Sequence, residues 1–141
     1  MDTIGGYIGI EDQKVSYLKQ IVDATNSKIV LVSTWKEYWH KAPYKKHQDY
    51  MANYLDDKLA KQGLKIVDKT NDILTSRGIG ILDYLCYLKD NEIEVNNYVI
   101  LDDLPFDYLK AKLSKNLVQT SYDKGGLKLN HVKRAIAILS K

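Results

Sequence analysis

Tyr98-Val99-Ile100-Leu101-Asp102-Asp103 is an apolar run of strand length that ends in two adjacent carboxylates. Such a run reads as a strand buried in a parallel sheet. The acids then sit at its carboxyl edge, where open α/β sheets bind ligands. Two neighbouring carboxylates repel unless a cation or a basic group neutralises them. Mg²⁺, a hard cation that takes oxygen ligands, suits the pair. A plainer arrangement suits it too: one Asp caps the following turn and the other is solvated.

Outward from this strand, helical and extended patterns alternate. Asp12 to Thr25 puts Val15, Leu18, Ile21 and Val22 on one helical face. Ile29-Val30-Leu31-Val32-Ser33 is a β-branched strand run. An aromatic loop, Thr34 to Pro43, precedes a long amphipathic helix over about 44–62 with Met51, Tyr54, Leu55 and Leu59 inward and Gly63 as its stop. Leu64-Lys65-Ile66-Val67-Asp68 is a short strand. Thr75 or Ser76 caps a helix whose apolar stripe holds Ile79, Leu82, Leu85, Cys86 and Leu88. Phe106 to Ser114 reads as a short helix and Leu117-Val118-Gln119-Thr120 as the last strand. Asn130 caps a final helix with Val132, Ala135, Ile136 and Leu139 inward. The alternation predicts a Rossmann-like α/β sandwich of three layers, a mostly parallel sheet with helices on both faces. Four strands is few for such a sheet.

The chain's 141 residues suit one domain, 1–141. Net charge is only +3, and 19 of the 21 basic residues are Lys, which argues against nucleic acid and against a bidentate phosphate-gripping surface. A single Cys86 excludes an internal disulfide and fits a reducing compartment; its place on the helical stripe reads as core. With no signal peptide and no apolar run of membrane-spanning length, the cytoplasm is the expected location and no membrane partner is expected. His40, His47 and His131 have no ligand-spaced neighbours, so a zinc site is not expected. Trp35, Tyr38, Trp39 and Tyr44, interleaved with lysines, read either as an exposed interaction surface or as a lid packed on the core.

Lys28-Ile29-Val30-Leu31-Val32-Ser33-Thr34-Trp35, Arg77-Gly78 opening a helix, Asn97 to Asp103, and Leu117 to Thr120 followed by Gly126-Leu127 come in a distinctive order. In that order the chain resembles the haloacid dehalogenase-like (HAD) superfamily, and within it the small cap-poor branch found with RNA-repair proteins. The resemblance covers nearly the whole chain. It implies in-line phosphoryl transfer, which needs charge neutralisation and positioning. It places Ser33 and Thr34 as phosphate-binding hydroxyls and Arg77 as a phosphate-neutralising cation. Asp102 and Asp103 become the Mg²⁺-binding acids, holding the ion weakly.

One part of that machinery is missing. The superfamily carries a nucleophilic Asp, followed two residues later by an acid/base Asp, at the end of a first, central strand. No Asp-x-Asp follows an apolar strand here. Asp56-Asp57 lies inside a helix, and Asp2 is not preceded by a strand. The expectation is a degenerate, non-catalytic HAD-like domain that binds a protein or a phosphorylated ligand. The alternative is a Mg²⁺-dependent phosphohydrolase whose nucleophile-bearing strand is absent from this chain. Whether the chain is an enzyme stays open, and the absent nucleophile weighs against it. Without the central strand, the edges of 29–33 and 98–101 need a substitute. The substitutes are the glycine-rich 3–10 segment, direct pairing of the two strands, or a strand from a partner or a second copy.

Overall fold

The computed structural model describes residues 3–4, 7–8, 11–32, 38–41, 50–71, 76–121 and 125–141. Its elements run in the order β1 (Thr3–Ile4), β2 (Tyr7–Ile8), α1 (Asp12–Thr25), β3 (Ile29–Leu31), α2 (Tyr50–Ala60), β4 (Ile66–Lys69), α3 (Arg77–Asp90), β5 (Ile100–Asp102), a 3-10 turn (Ser114–Asn116), β6 (Leu117–Gln119) and α4 (Leu129–Leu139). Helices thus alternate with short parallel strands in an α/β fold.

The helix ends follow from local chemistry. Asn26 closes α1 in the left-handed region at φ 53°, where its N–H donates to the Val22 carbonyl at 2.7 Å. Asn tolerates that conformation better than most side chains. Gly63, at φ 76°, does the same after α2, and Leu64 N–H reaches back to the Leu59 carbonyl at 3.0 Å. Two expected features come out differently. The cap of α4 is Lys128, whose N–H donates to His131 Nδ1 at 2.9 Å, and Asn130 is already inside the helix. Phe106 to Ser114 is not a helix but a chain of turns, with Phe106 and Lys112 at positive φ. That backbone breaks the regular i to i−4 ladder.

The sheet is split. β3 pairs parallel with β4, with a register shift between Ile29 and Val30, and β5 pairs parallel with β6 in the register Ile100–Leu117, Leu101–Val118 and Asp102–Gln119. Each pair is extended by one bond, Thr70 N–H to the Leu31 carbonyl and Thr120 N–H to the Asp102 carbonyl. Among the described strands the two pairs do not join, and β1 and β2 pair with each other rather than between them. The expected rescue by the 3–10 segment or by direct pairing of the flanking strands is therefore not seen among the described residues.

Helices hold the halves together. Val15 of α1, with Leu18 and Val22, packs with Ile29 and Leu31 and with Leu55 and Leu59 of α2. Ile21 and Tyr17 of the same helix pack with Val99, Leu101, Val118, and Val132 and Ala135 of α4. On the other side, Ile81 of α3 joins Ile100, Tyr108 and Leu113, with Val32 against them. Successive residues of a strand point to opposite faces. Val99 and Leu101 therefore meet α1 and α4 while Ile100 meets α3. Tyr84 of α3 adds a link to the other pair by donating its hydroxyl to Asp68 of β4 at 3.1 Å.

Ile21 is 2% exposed and carries α1 onto the β5–β6 pair. Ile21→Ala is expected to cost about 2–5 kcal/mol through lost burial and a residual cavity. Urea unfolding measures this.

Candidate functional site

Asp102 shares the parity of Ile100, so its carboxylate turns toward α3 and into the interior, where the residue is 7% exposed. Asp103 falls just past the strand and is exposed. The two adjacent acids thus have opposite environments.

The partners of Asp102 come from two places. Arg77, at the first turn of α3, sets Nη1 2.7 Å from Asp102 Oδ2, with side-chain exposures of 9% and 5%. The Tyr108 hydroxyl donates to the same oxygen at 2.6 Å, and Tyr108 is fully buried. Asp102 Oδ1 accepts the N–H of Asp103 at 2.9 Å. Phe106 lies under the guanidinium, 4.1 Å from Arg77 Cζ to the ring centroid, and meets Tyr108 edge-on. A planar guanidinium suits a bidentate or stacked site in a way that an ammonium does not.

The start of α3 is fixed by the same loop. No side chain caps it from Ser76. Asp107 does so instead, accepting Gly78 N–H at 2.6 Å and Ile79 N–H at 3.2 Å. A carboxylate there satisfies free N–H groups and the helix dipole together. Gly78 is what lets the loop come so close. A Cβ at that position would stand 2.9 Å from Ala111 Cβ and 3.1 Å from the Asp107 carboxylate.

Ionisation follows from this packing. Partial desolvation, then the hydrogen bond with Asp102 and its charge, raises the Asp103 carboxyl above its ordinary value. Burial, then the hydrogen bond to Asp102, holds the Tyr108 phenol protonated well above the usual tyrosine range. Burial, then Asp68, pushes Tyr84 up to about 12.

Of the residues expected to form the site, Arg77, Asp102 and Asp103 are brought together. Ser33, Thr34 and Trp35 lie outside the described residues. Tyr38 is 48% exposed, but Trp39 is 3% exposed in the core beside Leu55 and Leu59, with Nε1 donating to Asp56 at 2.9 Å. Trp39 is thus a core residue rather than part of an interaction surface. Tyr108, Phe106 and Asp107 join the site from the turn segment that follows β5. Their signal in the sequence is two aromatics flanking an acid just after the paired carboxylates, at a spacing that a helix assignment hides.

A family model described as "HAD domain in Swiss Army Knife RNA repair proteins" matches residues 2–132. No curated protein and no solved structure matches the chain. HAD proteins generally use Mg²⁺, so the fit of such an ion to these residues matters. Mg²⁺ demands octahedral oxygen ligation. Here Asp102 has its charge met by Arg77, and both its oxygens accept hydrogen bonds. Among the described residues no three Asp, Glu, His or Cys side chains gather as a metal site. The described residues by themselves do not fit the ion.

Arg77→Gln leaves the Asp102 charge buried without a counter-ion, so a loss of about 3–5 kcal/mol is expected in chemical unfolding. The sign for Asp103 is opposite. Its folded-state pKa is raised, so its contribution to stability is complete below the unfolded value and is lost as pH rises through the folded one. Asp103→Asn should therefore leave acid stability unchanged and raise stability at neutral pH, as read from urea midpoints at both conditions.

Proposed function

The chain belongs to the family of HAD domains found in Swiss Army Knife RNA repair proteins, and from that membership we propose that residues 1–141 bind a phosphate monoester without turning it over. The observation that supports this reading is the anchored guanidinium of Arg77. It sits at the N-terminus of α3, beside the carboxyl edge of β5, with Nη1 committed to Asp102 and its carbon over the Phe106 ring. A guanidinium has five N–H donors in a rigid fork. One edge can hold the protein carboxylate while the other meets phosphoryl oxygens. Ser33 and Thr34, at the carboxyl end of the β3 run, would supply hydroxyl donors in this reading, and the two strand pairs would be the halves of one sheet in a three-layer sandwich. The family description makes a phosphorylated RNA end the first monoester to test. A partner protein is the other binder this reading accommodates.

The absence of an Asp-x-Asp after an apolar strand in these residues argues for binding over turnover. One observation favours a second reading, Mg²⁺-dependent phosphohydrolysis. β3 and β5 each have one edge without a strand partner among the described strands, and α1 packs across both. A strand carrying the nucleophile would have a place there.

The test is a titration of short oligoribonucleotides bearing either a terminal phosphate or a terminal hydroxyl, followed by backbone amide shifts. The phosphorylated form should move the amides of 101–108 and 120–121, and Arg77→Lys should weaken it by about tenfold, or 1.4 kcal/mol. Equal binding of both forms, or no shift, overturns the proposal. Release of inorganic phosphate that depends on Mg²⁺ favours the second reading.

A further inference from the structure

α3 is apolar on two sides, and among the described residues only one of them is packed. Ile81 is buried, with Leu85 packed beside it, against β5 and Tyr108. Ile79, Leu82 and Cys86, expected from the sequence to lie inward, are exposed: Ile79 at 55%, Leu82 at 38%, and Cys86 as a free exposed thiol. Their i, i+3, i+7 spacing places them on one stripe of the helix. Beyond the end of α3 the apolar surface continues through Ile93 at 51% and Val95 at 39%. Between the helix and this segment lies an open cavity of about 400 Å³, its apolar lining Leu85, Ile93, Val95 and Tyr98 and its polar lining Lys89, Glu94 and the Asn96-Asn97 pair. An exposed apolar stripe beside a hollow with an apolar wall is the form of a surface that takes an amphipathic helix.

The rim selects the occupant. Asp83, Asp90, Glu92 and Glu94 are all exposed around this surface, against Lys89, in a chain whose net charge is +3. The face is locally acidic on a basic protein. A second copy docked face to face would set these acids against themselves, which disfavours self-pairing. Nucleic acid is disfavoured for the same reason.

We propose that the outer face of α3, with the 91–98 segment, docks an amphipathic helix of a partner protein whose apolar stripe is flanked by lysine or arginine. Leu82 and Cys86 supply the apolar stripe on the helix, Leu85, Ile93 and Val95 the hollow beside it, and Asp83 and Asp90 the charged flank. This surface is separate from the Arg77–Asp102 cluster, which faces the opposite side of α3.

The probe is a synthetic helical peptide with leucines at heptad spacing and lysines on the flanks. Its control has the same leucines and glutamate flanks. The lysine peptide should shift the amides of 79–96 and bind at least about tenfold tighter than the control. Asp83→Lys with Asp90→Lys, at exposed positions that leave the core intact, should reverse the preference. Leu82→Ser should remove binding with the helical circular dichroism unchanged. Equal binding of the two peptides, or binding of neither, overturns the proposal. So does a dimer in sedimentation equilibrium that Leu82→Ser dissociates, because the occupant is then a second copy. These amides differ from those read with phosphorylated RNA, so failure of one proposal is distinguishable from failure of the other.

Discussion

A guanidinium and a carboxylate, each with less than a tenth of its side chain exposed, fix this structure at one point. Removing both from water carries a large desolvation cost, which their attraction offsets only with good geometry and further hydrogen bonds. The further bonds are present: Tyr108 and the Asp103 amide saturate the carboxylate, and Phe106 covers the guanidinium. Such a cluster adds little net stability over an apolar substitute, but it is intolerant of misplacement. It therefore sets where α3 begins, where β5 ends and how the 105–113 loop folds back. The positive φ at Phe106 and the close approach at Gly78 follow from that requirement.

The second constraint is the divided sheet. Four short parallel strands in two pairs offer little backbone pairing, so cohesion comes from the helices. α1 distributes one apolar stripe over both halves, Val15 toward β3 and Ile21 toward β5. α3 does the same from the other side, through Tyr84 to β4 and Ile81 to β5. Strands buried on both faces in this manner read as unbroken apolar runs. That is why the runs at 29–32 and 98–101 stand out.

α3 also shows how one helix can serve two surfaces. Its inner side carries the ion-pair residue and the contacts to β5, while its outer side keeps large apolar residues in water beside an acidic rim. A helix apolar all round is ordinarily buried. Here the described residues cover one half of it.

The sequence by itself determined the alternation of four helices with four parallel strands, though not the turns at 106–113 or the β1–β2 pair, together with the stop at Gly63 and the strand whose end bears Asp102. Local chemistry carries those features: β-branched runs, a 3.6-residue period, and the few residues that tolerate a left-handed turn. Family membership was legible from the spacing of the 28–35, 77–78 and 97–103 blocks. The tertiary structure decided what a one-dimensional pattern leaves degenerate. Apolar residues on two sides of α3 do not say which side is buried, so the pattern points Cys86 and Leu82 inward while they lie outward. Two adjacent acids look equivalent in a sequence, yet strand parity sends Asp102 to Arg77 and leaves Asp103 exposed. Asp107 and Phe106 gain their roles from contacts made across 28 or 29 residues of chain with the start of α3, and Tyr108 from its bond to the carboxylate that Arg77 holds. No local signal encodes that distance.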